Sequence, residues 1–272
     1  MTKNYFYNEN CFDTLKKMVE RDYKVNVILT SPPYNTARCV NTERAREILN
    51  QRYDIHFDNM TDEEYHDWTK NLFDEFDKVL NTNGVILYNI SYGSENPNAM
   101  WVALEAIRKT NFMIADTIVW KKKSALPNNT SSNKLTRITE FVFVICRKNE
   151  FKTFQANKKV TSENVRGQKY YENVFNFIEA PNNDGPCKLN KATYSSELVL
   201  QLLNMYAHND DVVYDPFVGT GTTMIGCMKY NDGENNLTCI GSELSAAQIE
   251  FAKERINNYK NENQNDLFGT SV

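Results

Sequence analysis

Six short runs rich in β-branched and aromatic residues punctuate the chain, and helical patterns fall between most of them. They are VNVIL (25–29), GVILYNI (84–90), DTIVW (116–120), EFVFVIC (140–146), DVVYD (211–215) and LTCIGSE (237–243). Strands that alternate with helices are joined by crossovers, which gives a mostly parallel sheet covered on both faces. Thr61-Asp62-Glu63-Glu64 reads as an N-cap followed by acids that suit the positive end of a helix dipole. Trp68, Leu72, Phe73, Phe76, Val79 and Leu80 then recur at helical spacing, which predicts a helix over 61–80. Further helices are expected at 97–109, 195–207, 221–230 and 244–258, and no internal repeat is visible. Residues 36–58 and 124–135 read as long loops, a length often used for lids. The expectation is one doubly wound α/β domain over 1–272, with 151–187 as a small irregular insert and 261–272 as a disordered tail.

Composition narrows the class. At 41% hydrophobic and 24% charged residues the chain is an ordinary globular one, and its longest apolar runs are too short to span a bilayer. Met1-Thr2-Lys3-Asn4 has no apolar block behind it, so no signal peptide is expected. Six cysteines lie scattered without a C-x-x-C pair, which argues against a zinc site or disulfide framework and for a reducing cytoplasm. Three separated histidines (His56, His66, His208) make a His-built metal site improbable. The net charge of −4 hides an asymmetry: residues 121–170 carry +9, and the remainder carries −13. Such a one-sided concentration is either a solvated face or the footprint of phosphate contact.

Two stretches carry the chemistry. In VVYDPFVGTGTT (212–223) a strand ends at Asp215, and Gly219-Thr220-Gly221 turns into a helix, where a ligand can approach the backbone closely. No Gly-Lys-Ser/Thr follows, so it is not a phosphate-binding P-loop; Met224 stands where a dinucleotide fingerprint needs its third glycine. The next strand ends at Glu243, 22 residues beyond Gly221, where an acid can accept both hydroxyls of a ribose. A nucleoside-containing cofactor without a pyrophosphate fits, and Asp215 suits a cationic group on it. S-adenosyl-L-methionine has that chemistry. The other stretch, TSPPYNT (30–36), follows VNVIL directly, and its two prolines make a rigid shelf with an exposed ring and outward carbonyls.

With SPPY ahead of DPFVGTGTT, the chain resembles the DNA amino-methyltransferases, in the motif order of their beta group. The likeness covers roughly residues 5–258 and includes YNENCFDTLKKMVERDYKVNVILTSPPYN, MTDEEYHDWTKNLFDEFDKVL, IVWKKK and RITEFVFVICRK. It implies a Rossmann-like fold, S-adenosyl-L-methionine as cofactor and double-stranded DNA as substrate, methylated on cytosine N4 or adenine N6. By that resemblance Ser31, Pro32, Pro33 and Tyr34 form the catalytic shelf. Asn10, Cys11, Asp215, Phe217, Gly219, Gly221, Thr222 and Glu243 contact the cofactor. Asn10 stands where the family often has Asp, and NKATYSSEL (190–198) departs from its usual His-Pro.

An exocyclic amino nitrogen is a poor nucleophile because its lone pair is delocalised into the ring. Ser31 Oγ and the Pro32 carbonyl can accept its two hydrogens and free that pair, while Tyr34 offers a stacking face. A duplex base reaches such a pocket only when flipped out of the stack. No covalent intermediate is needed, so Cys11 and Cys39 have no nucleophilic role. Lys121, Lys122 and Lys123 are expected along the DNA backbone, with Arg137 nearby. Arg147, Lys148 and the 151–187 insert are expected to make groove contacts. The insert is short for a recognition domain, which suggests a brief target site or help from a second subunit; a cognate restriction enzyme is a compatible partner. Ser31 favours cytosine N4, because family members with serine there mostly resemble cytosine enzymes. Competing readings are an inactive DNA-docking module and a methyltransferase acting on small molecules or proteins.

Overall fold

The computed structural model describes residues 3–35, 59–93, 96–125, 127–129, 131–190, 192–233 and 235–267. The expected loop 36–58 lies outside them, and Asn59 and Met60 precede the first long helix. Ten strands are described: β1 (Lys3–Tyr7), β2 (Val25–Thr30), β3 (Leu80–Ile90), β4 (Phe112–Lys122), β5 (Thr139–Arg147), β6 (Val160–Glu163), β7 (Lys169–Tyr171), β8 (Phe177–Ala180), β9 (Val212–Asp215) and β10 (Thr238–Ser242). The helices are α1 (Cys11–Glu20), α2 (Asp62–Val79), α3 (Ala99–Arg108), α4 (Ser196–Tyr206), α5 (Thr222–Asn231) and α6 (Ala246–Leu267).

Eight strands form one sheet in the order β1-β10-β9-β2-β3-β5-β4-β8, and only β5 runs against its neighbours. α1, α2 and α3 cover one face through Leu15, Leu72, Phe73, Phe76 and Ile107. α4, α5 and α6 cover the other through Leu198, Leu202, Met224 and Ile256. Alternation along β2 sorts Val27 and Leu29 to the second layer and Ile28 to the first, as a period of two requires, while an irregularity between Val25 and Val27 turns Val25 to the first layer as well. A capping box starts α2: Thr61 Oγ1 accepts from the Glu64 N–H, and Glu64 Oε2 accepts from the Thr61 N–H.

This topology fixes where a ligand can sit. From β2 the chain moves on to β3 on one side, and from β9 it moves on to β10 on the other, so the order reverses between adjacent β2 and β9. In doubly wound sheets the crevice outside the strand C-termini at such a switch point is the ligand site. Thr30, Ile90, Lys122, Asp215 and Ser242 all end strands at this edge, and antiparallel β5 begins there at Thr139.

Several expectations change. β1 and α1 carry no strand or helix expectation from pattern; KNYFY is a five-residue, half-exposed edge strand, too short to stand out. The stretch 151–187 divides. β6 and β7 form a solvent-exposed hairpin, whereas β8 joins the main sheet beside β4 and buries Ile178 and Ala180. α6 continues to Leu267, into the stretch expected to be disordered from residue 261; residues 268–272 lie outside the described ones. Among the described residues no helix is long and apolar enough to cross a membrane, and no group of three His, Cys, Asp or Glu side chains could hold a metal ion.

Candidate active site

A cavity of about 1240 Å³ opens at the switch point. Its wall includes Asn10, Cys11, Ser31, Pro32, Pro33, Tyr34, Phe217, Gly219, Thr222 and Glu243, so both sequence motifs face one space. Lys122 and Arg137 also line it.

The shelf is held from below. After β2 ends at Thr30, the Pro33 carbonyl accepts from the Tyr65 hydroxyl of α2 at 2.8 Å. Asn35 has φ 52°, in the left-handed region that Asn tolerates better than most residues. Its amide is spent on Met60, accepting from the N–H at 2.8 Å and donating to the carbonyl at 2.9 Å, and Asn96 donates to the Asn35 carbonyl at 2.8 Å. These bonds and the two fixed proline φ angles set Ser31 and Tyr34 before any ligand arrives. Ser31 Oγ donates to Tyr34 Oη at 2.9 Å. Tyr34 Oη in turn faces Asn89 Oδ1 at 3.2 Å and Glu140 Oε2 at 3.3 Å.

Across the cavity the glycine loop turns with Gly219 at φ 51° and Gly221 at φ 81°. The Gly219 N–H donates to Glu243 Oε2 at 3.0 Å and the Ser245 N–H to Oε1 at 2.9 Å, which fixes the carboxylate at the end of β10. Gly221 also lets the loop pack closely on α6, since a Cβ there would sit 2.8 Å from Ala252 Cβ. Asn10 caps α1, accepting from the Phe12 N–H at 3.0 Å. Burial pushes the Cys11 thiol up to about 12, so it is inert at neutral pH.

Asp215 is buried behind the cavity wall, 1% exposed. Four donors use its carboxylate: Thr30 Oγ1 at 2.9 Å, the Phe217 N–H at 3.0 Å, Tyr194 Oη at 3.1 Å and Thr223 Oγ1 at 2.5 Å. Burial pushes its carboxyl up from the ordinary value, against the pull of those donors. It therefore ties Thr30 of β2, Tyr194 and Thr223 of α5 to the end of β9.

The basic residues separate into groups. Lys122 is committed to Glu140 and lies 5.1 Å from the centre of the Trp120 ring. Lys121 pairs with Glu179 at 2.8 Å where both are exposed, and Lys123 is exposed. Arg137 donates to the Tyr92 carbonyl and stacks on the Tyr92 ring. Arg147 and Lys148 are at the opposite edge of the sheet, since Arg147 pairs in register with Phe112, the first residue of β4. Arg147 is 14% exposed and donates to Asp77, Glu150 and the carbonyls of Asp77, Leu80 and Asn81. Lys148 Nζ donates to the carbonyls of Arg108 and Thr110. The nine residues of β5 separate them from the cavity end of the strand by roughly 30 Å.

Among the wall residues that were not anticipated, Asn89, Glu140 and Trp68 bear on the shelf and the glycine loop. Asn89 and Glu140 approach the Tyr34 hydroxyl, and Trp68 stacks on Tyr65 at 5.9 Å while its ring meets Phe217 at 5.8 Å. The signal for Asn89 was a polar residue inside an otherwise apolar strand. Glu140 and Trp68 gave none, because an acid at a strand start and an aromatic on a helix are both ordinary.

A family model described as a DNA methylase matches residues 25–254. The chain is 25% identical over 285 residues to the type II methyltransferase M.MthZI of Methanothermobacter thermautotrophicus, covering 93% of this chain and 76% of that one. Among solved structures, the PvuII DNA methyltransferase, described as cytosine-N4-specific, superposes with a TM-score of 0.63 at 16% identity, over 96% of this chain and 92% of that one. The M1.HpyAVI–SAM complex superposes with a TM-score of 0.59 at 19% identity, over 93% and 99%. At these identities the structural likeness establishes the fold.

Proposed function

The chain belongs to the DNA methylase family, and on that premise we propose that it transfers a methyl group from S-adenosyl-L-methionine to cytosine N4 of a base flipped out of double-stranded DNA. The observation that carries this reading is one cavity with the Ser31–Tyr34 shelf on one side and the Gly219 loop with Glu243 on the other. Its size exceeds what one small ligand needs, so cofactor and base fit together.

The residues present fit the cofactor. Glu243 offers an oriented carboxylate to a ribose, its two oxygens held by the Gly219 and Ser245 amides. Gly219 leaves the backbone bare, and Phe217 with Trp68 supplies apolar ring surface for an adenine. Asn10, Cys11 and Thr222 complete that end of the wall. When bound, the cofactor supplies a sulfonium methyl to an attacking nitrogen. The chain's own work is on the nucleophile. Ser31 Oγ and the Pro32 carbonyl accept the amino hydrogens, Tyr34 orients the base, and the rigid shelf avoids reorganisation during reaction.

Cytosine is favoured over adenine because family members with serine at this shelf position mostly resemble cytosine enzymes, and the Ser31 hydroxyl can accept from the amino group while its own proton stays on Tyr34 Oη. It also adds no negative charge beside the sulfonium. Lys121, Lys123 and Arg137, together with the exposed β6–β7 hairpin bearing Arg166, Lys169, Tyr170 and Tyr171, are the surfaces offered to DNA. A second subunit and a cognate restriction enzyme belong to the same reading, as does a cytoplasmic location. The test is mass spectrometry of nucleosides from DNA of cells expressing the protein. N4-methyldeoxycytidine supports the assignment, and N6-methyldeoxyadenosine alone transfers it to adenine.

A further inference from the structure

Methylating an amino nitrogen creates a proton that must leave. The methylated nitrogen holds a positive charge next to an electron-withdrawing ring, which makes it strongly acidic, so the outcome depends on where the proton goes. Prolines and apolar rings around the shelf offer no base. The hydrogen bonds described above do run in one direction away from the shelf: Ser31 Oγ donates to Tyr34 Oη, and Tyr34 Oη can donate to Glu140 Oε2. Its other acceptor is Asn89 Oδ1, an amide oxygen turned that way because Asn89 Nδ2 donates to the Phe141 carbonyl at 3.0 Å. An amide oxygen is a far weaker base than a carboxylate, so of the two acceptors only the carboxylate can take the proton from Tyr34.

Resting on the methyl-transfer reading, we propose that Glu140 is the end of a proton-exit relay from the target amino group through Ser31 and Tyr34. The new N–C bond forms at the expense of the donor's S–C bond, whose electron pair stays on sulfur. The base nitrogen then gives its proton to Ser31 Oγ, the Ser31 hydroxyl proton passes to Tyr34 Oη, and the Tyr34 hydroxyl proton passes to Glu140 Oε2. Each hydroxyl ends with one hydrogen, and Glu140 ends neutral beside the Lys122 ammonium. Lys122, a wall residue of β4, holds the carboxylate in place, and Trp120, opposite Glu140 in register, packs beneath both. The Glu140 side chain is 17% exposed, so the carboxylate is screened from water yet open enough to the cavity to release its proton between turnovers. Glu140 touches no reacting atom and acts through Tyr34; the 3.3 Å separation is of the kind that tightens when a substrate is bound.

The experiment measures single-turnover methyl transfer to saturating duplex DNA by the wild type, Glu140→Gln and Glu140→Ala, with and without added sodium formate. Cofactor affinity is followed by calorimetry. The relay predicts that Glu140→Gln slows transfer about 100-fold, within the range typical of a lost proton acceptor, with cofactor affinity within twofold of wild type. Formate, a small carboxylate, should accelerate Glu140→Ala and leave the wild type unchanged. A wild-type rate in Glu140→Gln, or a slow Glu140→Ala that formate does not accelerate, overturns the relay. Absence of transfer by the wild type would instead refute the methyl-transfer reading.

Discussion

Replacing Asp215 with alanine should damage the fold far more than any single ligand contact would. Its four donors do not lose equally. Tyr194 Oη and Thr223 Oγ1 already lie 2.5 Å apart and can satisfy each other. The Thr30 hydroxyl and the Phe217 N–H have no such alternative, and both are left pointing at a space a carboxylate filled. A stranded buried donor costs about 1–3 kcal/mol, so the pair costs roughly 2–6 kcal/mol, with about 4 kcal/mol as the central value. Domain stabilities are about 5–15 kcal/mol, so this is a large fraction of the whole. At about 2–4 °C per kcal/mol for a chain of this size, the unfolding midpoint should fall by about 8–16 °C. Asp215→Asn keeps one acceptor oxygen and should lose about half as much. Urea unfolding followed by circular dichroism measures both, with cofactor affinity taken separately below the unfolding range. A change under about 0.5 kcal/mol in Asp215→Ala, accompanied by lost cofactor affinity, would refute the structural role and make Asp215 a ligand contact.

Other outcomes follow from the same geometry. Arg147→Ala should lower stability, because Asp77 and Glu150 lose their shared cation, yet leave the salt dependence of DNA affinity unchanged; a reduced slope would place Arg147 on the DNA. Lys121→Ala with Lys123→Ala should reduce the slope of log affinity against log salt by about 1–2, since each phosphate contact contributes roughly 0.9; an unchanged slope makes them a solvated loop. Cys11, with its thiol raised to about 12 by burial, should stay unalkylated by iodoacetamide at pH 8 in the native protein and become modified above about pH 11 or on unfolding; peptide mass mapping reads this, and rapid native labelling at pH 8 would show the thiol to be open.

The parts legible in the sequence were those set by local pattern. The alternation of apolar runs with helical spacing located β2, β3, β4, β5, β9 and β10 to within a few residues, and the longest departures were at β3 and β4, which extend further towards their N-termini. Ser31–Tyr34 and Gly219–Glu243 were legible as chemistry because prolines and glycines restrict the backbone wherever they occur. Partnerships across the sheet were not. Asp215 and Gly221 belong to a recognisable motif, but only the fold shows that one faces Thr30 and Tyr194 and the other Ala252. Charge summed along residues 121–170 also gave no sign that Arg147 and Lys148 stand apart from Lys121, Lys122 and Lys123. Antiparallel β5 carries its start, with Glu140, to the cavity and its end to the far edge, so neighbours in sequence face opposite ends of the molecule.

The central claim is methyl transfer to an exocyclic amino group held on the Ser31–Tyr34 shelf. Its most direct test incubates the purified protein with methyl-tritiated S-adenosyl-L-methionine and mixed-sequence duplex DNA, digests the DNA to nucleosides and separates them. The account predicts label in N4-methyldeoxycytidine from the wild type, and a sharp loss of label with Ser31→Ala at undiminished cofactor affinity. Label in C5-methyldeoxycytidine, or no labelled nucleoside from a wild type that binds both cofactor and DNA, would contradict it.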